Sequence, residues 1–214
     1  MPSLFVFDLD GTLLDSIPDI ARSMNEVLAR HAYPTHPEQA FRHFVGNGVG
    51  LLVERALPES ARTPGLMQPF QKEYMAYYAQ HMHELTQPFD GICETLETLL
   101  DRGVLLSVAS NKPHEVMAEI MQHYFPSIRF SAVFGHRKGY KVKPDPTIVF
   151  DILKLTGTSP EDVLYLGDTA VDMCTAQAAG VQSVGALWGY RTREELTDAG
   201  ADFLAEKPQD LLAL

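Results

Sequence analysis

The sequence of 214 residues contains only two cysteines, Cys93 and Cys174. Two cysteines cannot supply the disulfide framework of a small secreted scaffold, and we expect both to be small buried apolar side chains. Long apolar runs are also missing, so no membrane-spanning helix is expected. The N-terminus lacks a basic segment followed by a long apolar stretch. No signal peptide is therefore expected, and the default location is cytoplasmic.

Positive charge is outweighed by negative charge. The chain has 17 lysines and arginines against 28 aspartates and glutamates, which gives a formal net charge of −11. An acidic chain is a poor partner for the phosphate backbone of nucleic acid or for an anionic membrane surface. We therefore expect no nucleic-acid partner and no membrane partner. Any anion that the protein binds must be held at a local site.

Short apolar runs alternate with helical patterns over most of the chain. The strand candidates cover residues 4–7, 104–109, 132–134, 163–166, 181–187 and 202–204. Apolar residues at helical spacing between them mark helices near 92–100, 116–121, 148–155 and 173–179. This alternation predicts an α/β fold with a doubly wound parallel sheet. In such sheets, ligands bind beyond the carboxyl ends of the strands.

Residues 16–87 interrupt this alternation and contain no convincing strand. Three apolar stripes at helical spacing lie within them. The stripes are formed by Ile20, Met24, Val27 and Leu28, by Leu51, Leu52 and Leu57, and by Phe70, Tyr74, Tyr77 and Tyr78. We therefore predict an all-helical cap over 16–87, inserted into a core formed by 1–15 and 88–214.

Four aspartates follow buried strands of the predicted sheet. Asp8 and Asp10 come directly after the first strand, Asp168 follows the strand at 163–166, and Asp172 lies four residues later. Carboxylates that converge in a place with little water repel each other unless they meet a cation or a proton. Ligands that are all oxygen suggest Mg²⁺ rather than Zn²⁺.

Two further segments add groups that suit an anion. Ser110 and Asn111 close another apolar strand and offer a hydroxyl and backbone N–H groups at an expected helix start, which is a typical anion cradle. Lys143 precedes Pro144 and a helical pattern, and its ammonium can neutralise a phosphate oxygen. A nucleophilic carboxylate, Mg²⁺, a hydroxyl, N–H donors and a lysine together suit phosphoryl transfer.

These segments, taken in order, resemble the four motifs of the haloacid dehalogenase-like hydrolase superfamily. The matching residues are Asp8-Leu9-Asp10-Gly11-Thr12, Ser110, Lys143, and Gly167-Asp168 with Asp172. The second aspartate of the first motif favours a phosphatase over a true dehalogenase. Segments 15–20, 45–49, 88–91 and 143–146 resemble phosphoglycolate phosphatases that carry a helical cap.

The resemblance implies a role for each motif residue. Asp8 would attack phosphorus, and Asp10 would act as the general acid–base. Mg²⁺ would be held by the carboxylates of Asp8 and Asp168 and by the Asp10 carbonyl, while Asp172 would bind through water or orient the site. The phosphoryl oxygens would be held by Ser110, the Asn111 N–H and Lys143, and Gly11 would shape the loop after Asp10.

The residues of the cap are harder to assign. Gly46, Asn47 and Gly48 form either a loop that reaches the substrate or a plain turn between two helices. The candidates for contacting a substrate carboxylate are Arg22, Arg42 and Arg55. Trp188 and Tyr190 flank the last loop of the core, and no pattern assigns them a role.

The favoured function is hydrolysis of a small phosphorylated metabolite, foremost 2-phosphoglycolate. A pyrophosphatase, a sugar-phosphate phosphatase or a phosphomutase with the same chemistry is the alternative enzyme. A non-catalytic phosphate-sensing protein is the alternative of another class, although the complete set of acids and Lys143 argues against it. Either a monomer or a homodimer is compatible with the sequence.

Overall fold

The computed structural model describes residues 2–214, which form eight strands and nine α-helices. The strands are β1 (Leu4–Phe7), β2 (Leu14–Asp15), β3 (Gln87–Pro88), β4 (Leu105–Pro113), β5 (Ala132–His136), β6 (Val163–Gly167), β7 (Gln182–Ala186) and β8 (Phe203–Ala205). The helices are α1 (Ile17–Arg30), α2 (Glu38–Phe44), α3 (Val49–Ala56), α4 (Pro64–His81), α5 (Ile92–Asp101), α6 (His114–Tyr124), α7 (Thr147–Thr156), α8 (Ala170–Ala179) and α9 (Arg193–Asp198).

Six strands form one sheet in the order β5-β4-β1-β6-β7-β8. All of its pairings are parallel. The predicted α/β fold with a doubly wound parallel sheet is therefore confirmed. Strand β1 lies between β4 and β6, so the strand order reverses there. The ends of these three strands consequently border the crevice in which ligands of such sheets bind.

Strand β1 is buried on both of its faces, as the unbroken apolar run predicted. Phe5 and Phe7 belong to a large apolar cluster that continues into α1 through Met24. Leu4 and Val6 face the other side of the sheet and belong to a second cluster under α7 and α8. The first cluster therefore joins β1 and α1 in one continuous apolar core.

The inserted segment enters and leaves the sheet domain side by side. Strand β2 pairs with β3 in antiparallel fashion, with Leu14 opposite Pro88 and Asp15 opposite Gln87. Between these strands lie α1 to α4 and a 3₁₀ turn at Glu59–Ala61. The three apolar stripes therefore missed one helix, α2, because Phe41 is its single buried residue and one buried side chain makes no periodic pattern.

Three local expectations were wrong. Leu51 is 40% exposed, because Leu52, Val53 and Ala56 form the buried side of α3. Cys174 is exposed because it lies beside the buried row of α8 rather than on it, whereas Cys93 is half-buried. No helix starts after Ser110, since β4 continues to Pro113, which pairs with His136, and α6 begins at His114.

None of the helices within residues 2–214 combines the length and the apolar character that a bilayer crossing demands.

Candidate active site

The candidate site lies at the carboxyl ends of β1, β4 and β6. Asp8 directly follows β1, and Asp168 directly follows β6. The two strands are paired, and the N–H of Asp8 donates to the Leu166 carbonyl at 2.8 Å. Parallel pairing therefore places two carboxylates, distant in sequence, at one edge of the sheet, as their positions after the strands predicted.

Asp8, Asp168 and Asp172 form a buried acidic cluster. Each offers one carboxylate oxygen, and these oxygens all lie within 4.8 Å of one another. Burial raises the pKa of Asp8 from its usual 3.8 to about 7, although the charge of Lys143 opposes this shift. Burial, followed by the charges of Asp172 and Asp8, raises the pKa of Asp168 well above its usual value. Positive charge compensates these acids only in part, as expected of ligands to a hard divalent cation.

Lys143 supplies part of that charge. Its Nζ lies 2.8 Å from Oδ1 of Asp8 and 2.7 Å from Oδ1 of Asp172. It also donates to the Ala109 carbonyl and to the Tyr165 hydroxyl, both at 3.0 Å. Burial would lower the pKa of Lys143, but the charges of Asp172 and Asp8 outweigh burial and raise it. One ammonium beside three ionised carboxylates leaves two negative charges, which one divalent cation would neutralise.

Asp172 both caps a helix and supports the cluster. Its Oδ2 accepts hydrogen bonds from the N–H of Thr169 at 3.1 Å and from the Thr169 hydroxyl at 2.7 Å, at the start of α8. Its Oδ1 faces Lys143. A Cβ on Gly167 would lie 2.2 Å from the Asp172 side chain, so only glycine fits there. One side chain therefore both caps the start of α8 and contacts the lysine of the acidic cluster.

Asp168 is held from two directions. Its Oδ1 accepts from the Thr12 hydroxyl at 3.3 Å, and its Oδ2 accepts from the N–H of Tyr190 at 2.8 Å. Gly11 has a φ of +87°, and a Cβ there would lie 2.3 Å from Oδ2 of Asp168. The loop after Asp10 can therefore approach Asp168 only because residue 11 has no side chain.

The Asp10 carboxylate contacts side chains outside the acidic cluster. Its Oδ1 accepts from the Ser16 hydroxyl at 2.5 Å, and its two oxygens lie 2.9 and 3.2 Å from Nζ of Lys112. Lys112 is buried, and its Nζ lies 4.8 Å from the centre of the Tyr78 ring. Sequence reasoning missed Lys112. The available signal was its place two residues after Ser110 in the same strand.

Asn111 connects three parts of the site. Its Nδ2 donates to the carbonyls of Gly46 at 2.9 Å and Lys143 at 3.2 Å, while its Oδ1 accepts from the N–H of Lys143 at 2.7 Å. The buried Ser110 lies beside it, and the Ser110 Oγ accepts from the N–H of Lys112 at 3.1 Å. The inserted segment therefore touches the strand end through its 46–48 loop.

Tyr190 is the second residue that the sequence did not reveal. Its hydroxyl accepts from the N–H groups of Ser16 at 2.9 Å and Ile17 at 3.3 Å, at the start of α1. Its own N–H holds Asp168. Tyr190 thus links the acidic cluster to the segment that carries Ser16, the hydrogen-bond donor to Asp10.

A cavity of about 60 Å³ opens between the strand ends and the inserted helices. Its polar floor is formed by Asp8, Asp10, Ser110, Asn111 and Lys112, and its apolar wall includes Ile20, Val45, Val49 and Leu52. Gly46 and Gly48 line it as well.

Asn47 does not line the cavity, because its Oδ1 accepts from Arg55 at 2.9 Å. Arg22 pairs with Glu84 at 2.5 Å on the surface. Arg42 offers its carbonyl to Arg191. None of the three arginines considered as carboxylate ligands lines the cavity, so this structure places none of them where that expectation requires.

The fold and the acidic cluster together define a class of hydrolases, and residues 5–186 match the haloacid dehalogenase-like hydrolase family. The chain belongs to that family. It is 31% identical to a phosphoglycolate phosphatase of Mannheimia succiniciproducens, over 99% of this chain and 97% of that protein. It is also 31% identical to phosphoglycolate phosphatase 1 of Pseudomonas aeruginosa, over 99% of this chain and 79% of that protein.

A solved structure extends the likeness to three dimensions. The crystal structure of a "predicted phosphoglycolate phosphatase" from Haemophilus somnus superposes with a TM-score of 0.91 at 28% identity. The match covers 99% of this chain and 96% of that one. The similarity therefore includes the inserted helices as well as the sheet.

Proposed function

We propose that this phosphoric monoester hydrolase cleaves 2-phosphoglycolate through an aspartyl-phosphate on Asp8, with Mg²⁺ as its metal. The observation that carries the proposal is the buried cluster of Asp8, Asp168 and Asp172 around Lys143 at the strand ends. The relatives named above support the choice of substrate, since they are phosphoglycolate phosphatases.

In the first step, a carboxylate oxygen of Asp8 attacks phosphorus. The bond between phosphorus and the glycolate oxygen breaks, and that oxygen takes a proton from Asp10. Lys143 lies against Asp8 and favours its ionised form, which is the nucleophile. Ser110, the N–H of Asn111 and Lys143 hold the phosphoryl oxygens.

In the second step, Asp10 removes a proton from water, and the water oxygen attacks phosphorus. The bond from phosphorus to Asp8 breaks, so phosphate leaves and both aspartates return to their starting states. Asp10 suits this exchange because its carboxylate lies outside the acidic cluster and within the cavity.

The described residues fit a divalent cation, since three buried carboxylates lie together and the one ammonium beside them contacts only Asp8 and Asp172. Asp8, Asp168 and the carbonyl of Asp10 would hold Mg²⁺, and Asp172 would act through water or through Lys143. When bound, the metal offsets the negative charge of the carboxylates and of the phosphoryl group.

We further propose that residues 16–87 act as a cap on a core formed by 1–15 and 88–214. The paired strands β2 and β3 would form its hinge, and closure would exclude water from the phosphoryl group. The small cavity and its apolar wall favour a two-carbon acid over a hexose phosphate.

A hydrolysis panel tests the proposal. Purified protein is assayed with 2-phosphoglycolate, pyrophosphate and hexose phosphates, with Mg²⁺ or with a chelator. We expect 2-phosphoglycolate to give the highest kcat/KM and the chelator to abolish turnover. Asp8→Asn should fold normally and show no turnover, while the exposed Asp101→Asn should match the wild type. Wild-type rates in Asp8→Asn would exclude the nucleophile, and faster cleavage of pyrophosphate would reassign the substrate.

A further inference from the structure

Lys112 is a buried lysine that lines the cavity, and it forms no ion pair with the acidic cluster of Asp8, Asp168 and Asp172. Its side chain is only 6% exposed. It is the only cationic side chain among the described residues that line the cavity. Burying an ammonium is costly unless charged or polar groups compensate it. The groups that compensate the Lys112 ammonium therefore indicate what this part of the cavity can bind.

The partners of Lys112 leave room for a ligand. Its Nζ contacts the two oxygens of Asp10 and lies above the Tyr78 ring. A lysine ammonium carries three N–H donors. Asp10 accounts for at most two of them, so at least one donor has no hydrogen-bond acceptor in the structure described. The Tyr78 ring favours a cation at this position without using a donor.

The position of Lys112 suits the far end of a short substrate. Ser110, which the proposed mechanism assigns to the phosphoryl group, lies two residues earlier in β4. Two residues of extended chain span about 6.6 Å. Both residues line the same cavity. A substrate with its phosphoryl group at Ser110 would therefore place a group a few bonds away near Lys112.

Apart from Asp10, with which Lys112 pairs, the wall of the cavity carries no charge at that end. Ile20, Val45, Val49 and Leu52 are apolar, and the cap arginines lie elsewhere. When Asp10 carries the proton that the proposed first step needs, the Lys112 ammonium retains one positive charge, which matches a substrate group with one negative charge. A carboxylate has that charge, whereas a second phosphoryl group carries more than one ammonium can balance.

We infer that Lys112 is a specificity-determining residue that binds the carboxylate of the substrate. The site would then select phosphorylated hydroxy acids over phosphate monoesters of uncharged alcohols. The inference rests on the proposed function, because it takes the phosphoryl position from it. A core residue then recognises the acid, and the cap wall only encloses it.

The test compares two substrates that differ in one group. These are 2-phosphoglycolate and 2-hydroxyethyl phosphate, in which a neutral alcohol replaces the carboxylate. Wild type, Lys112→Met and Lys112→Arg are assayed with Mg²⁺, and the exposed Lys154→Met serves as the matched control. The readout is the ratio of kcat/KM for the acid to that for the alcohol. Any effect of the substitution on Asp10 acts on both substrates and cancels in this ratio.

We expect wild type and Lys154→Met to prefer the acid strongly. Lys112→Met should lower the ratio about 10- to 100-fold, mainly through the KM for the acid, because it removes a hydrogen bond between charged groups. Lys112→Arg should keep most of the preference.

The outcomes separate the inference from the proposed function. Equal losses on both substrates in Lys112→Met would overturn the inference and leave 2-phosphoglycolate as the substrate. A wild-type enzyme that cleaves the alcohol as well as the acid would also overturn it, without affecting the aspartyl-phosphate chemistry. A wild-type preference for pyrophosphate or hexose phosphates would overturn the proposed substrate and the inference together.

Discussion

The ammonium nitrogen of Lys143 lies 2.7 Å from Oδ1 of Asp172, and both side chains are buried. The same nitrogen contacts Asp8 at 2.8 Å. Lys143 therefore stands between the proposed nucleophile and the acid that caps α8. Its positive charge therefore offsets part of the repulsion among the three carboxylates at this edge of the sheet.

Replacing Lys143 with methionine should destabilise the metal-free protein and abolish most activity. The substitution leaves Asp8 and Asp172 without their buried counter-charge, and such a loss costs about 3–5 kcal/mol. Urea unfolding in the presence of a chelator measures the stability. The matched control is Lys141→Met, which removes an exposed lysine two residues away and should change little. Equal unfolding free energies for Lys143→Met and the wild type would contradict the role of this pair.

Magnesium should stabilise the protein more at pH 8 than at pH 5.5. The pKa of Asp8 is about 7 when folded and 3.8 when unfolded, so the folded metal-free protein holds an extra proton between these values. This contribution to stability is complete below pH 3.8 and is lost as the pH rises through 7. Metal binding needs ionised carboxylates, so Mg²⁺ binds most tightly at the high pH at which the metal-free protein is least stable.

Thermal melts at both pH values, with chelator and with Mg²⁺, measure this effect. At a Mg²⁺ concentration 100 times its Kd, the gain is about 2.7 kcal/mol. For a chain of this size, that gain raises Tm by about 5–10 °C. Asp8→Asn removes one titrating group and should flatten the pH dependence of the metal-free protein. An equal Mg²⁺ shift at both pH values would contradict this explanation.

Gly11→Ala should abolish activity, whereas Gly139→Ala should preserve it. The two glycines have nearly the same φ, +87° and +88°, so an alanine at either position meets the same backbone strain of about 1–2 kcal/mol. Only at Gly11 would the new Cβ lie 2.3 Å from Asp168, since nothing lies within 4 Å of the corresponding Cβ at Gly139. Steady-state rates and melts of both variants separate strain from displacement of Asp168. Similar activity in the two variants would show that the close approach of the Gly11 backbone to Asp168 is not needed for activity.

Tyr190→Phe should lower kcat with little change in KM. The variant removes the hydroxyl that accepts from Ser16 and Ile17, while the N–H that holds Asp168 remains. Each buried donor left without an acceptor costs about 1–3 kcal/mol. The loss should appear in kcat because Ser16 donates to Asp10 and does not line the cavity. A rise in KM at constant kcat would instead place Tyr190 among the binding residues.

Much of this arrangement could be predicted from local pattern. An apolar run that stops at an aspartate predicts a buried strand end, and β1 and β6 both confirm it. Parallel strands bring their carboxyl ends together, so the meeting of Asp8 with Asp168 followed from alternation of strands and helices alone. The end of β4 could not be predicted from local pattern. The strand pairs with β5 beyond Ser110, and this pairing overrides the local signal for a helix start.

The sequence by itself determined the sheet, the place of the inserted helices and the acids at the strand ends, because these depend on apolar periodicity and on short-range order along the chain. Only the tertiary structure decided which charges meet. It paired Lys112 with Asp10, set Lys143 between two aspartates, kept the cap arginines away from the cavity and joined Tyr190 to the start of α1. Such contacts join residues far apart in sequence, and they form only when packing excludes water and leaves each buried polar group to find a partner.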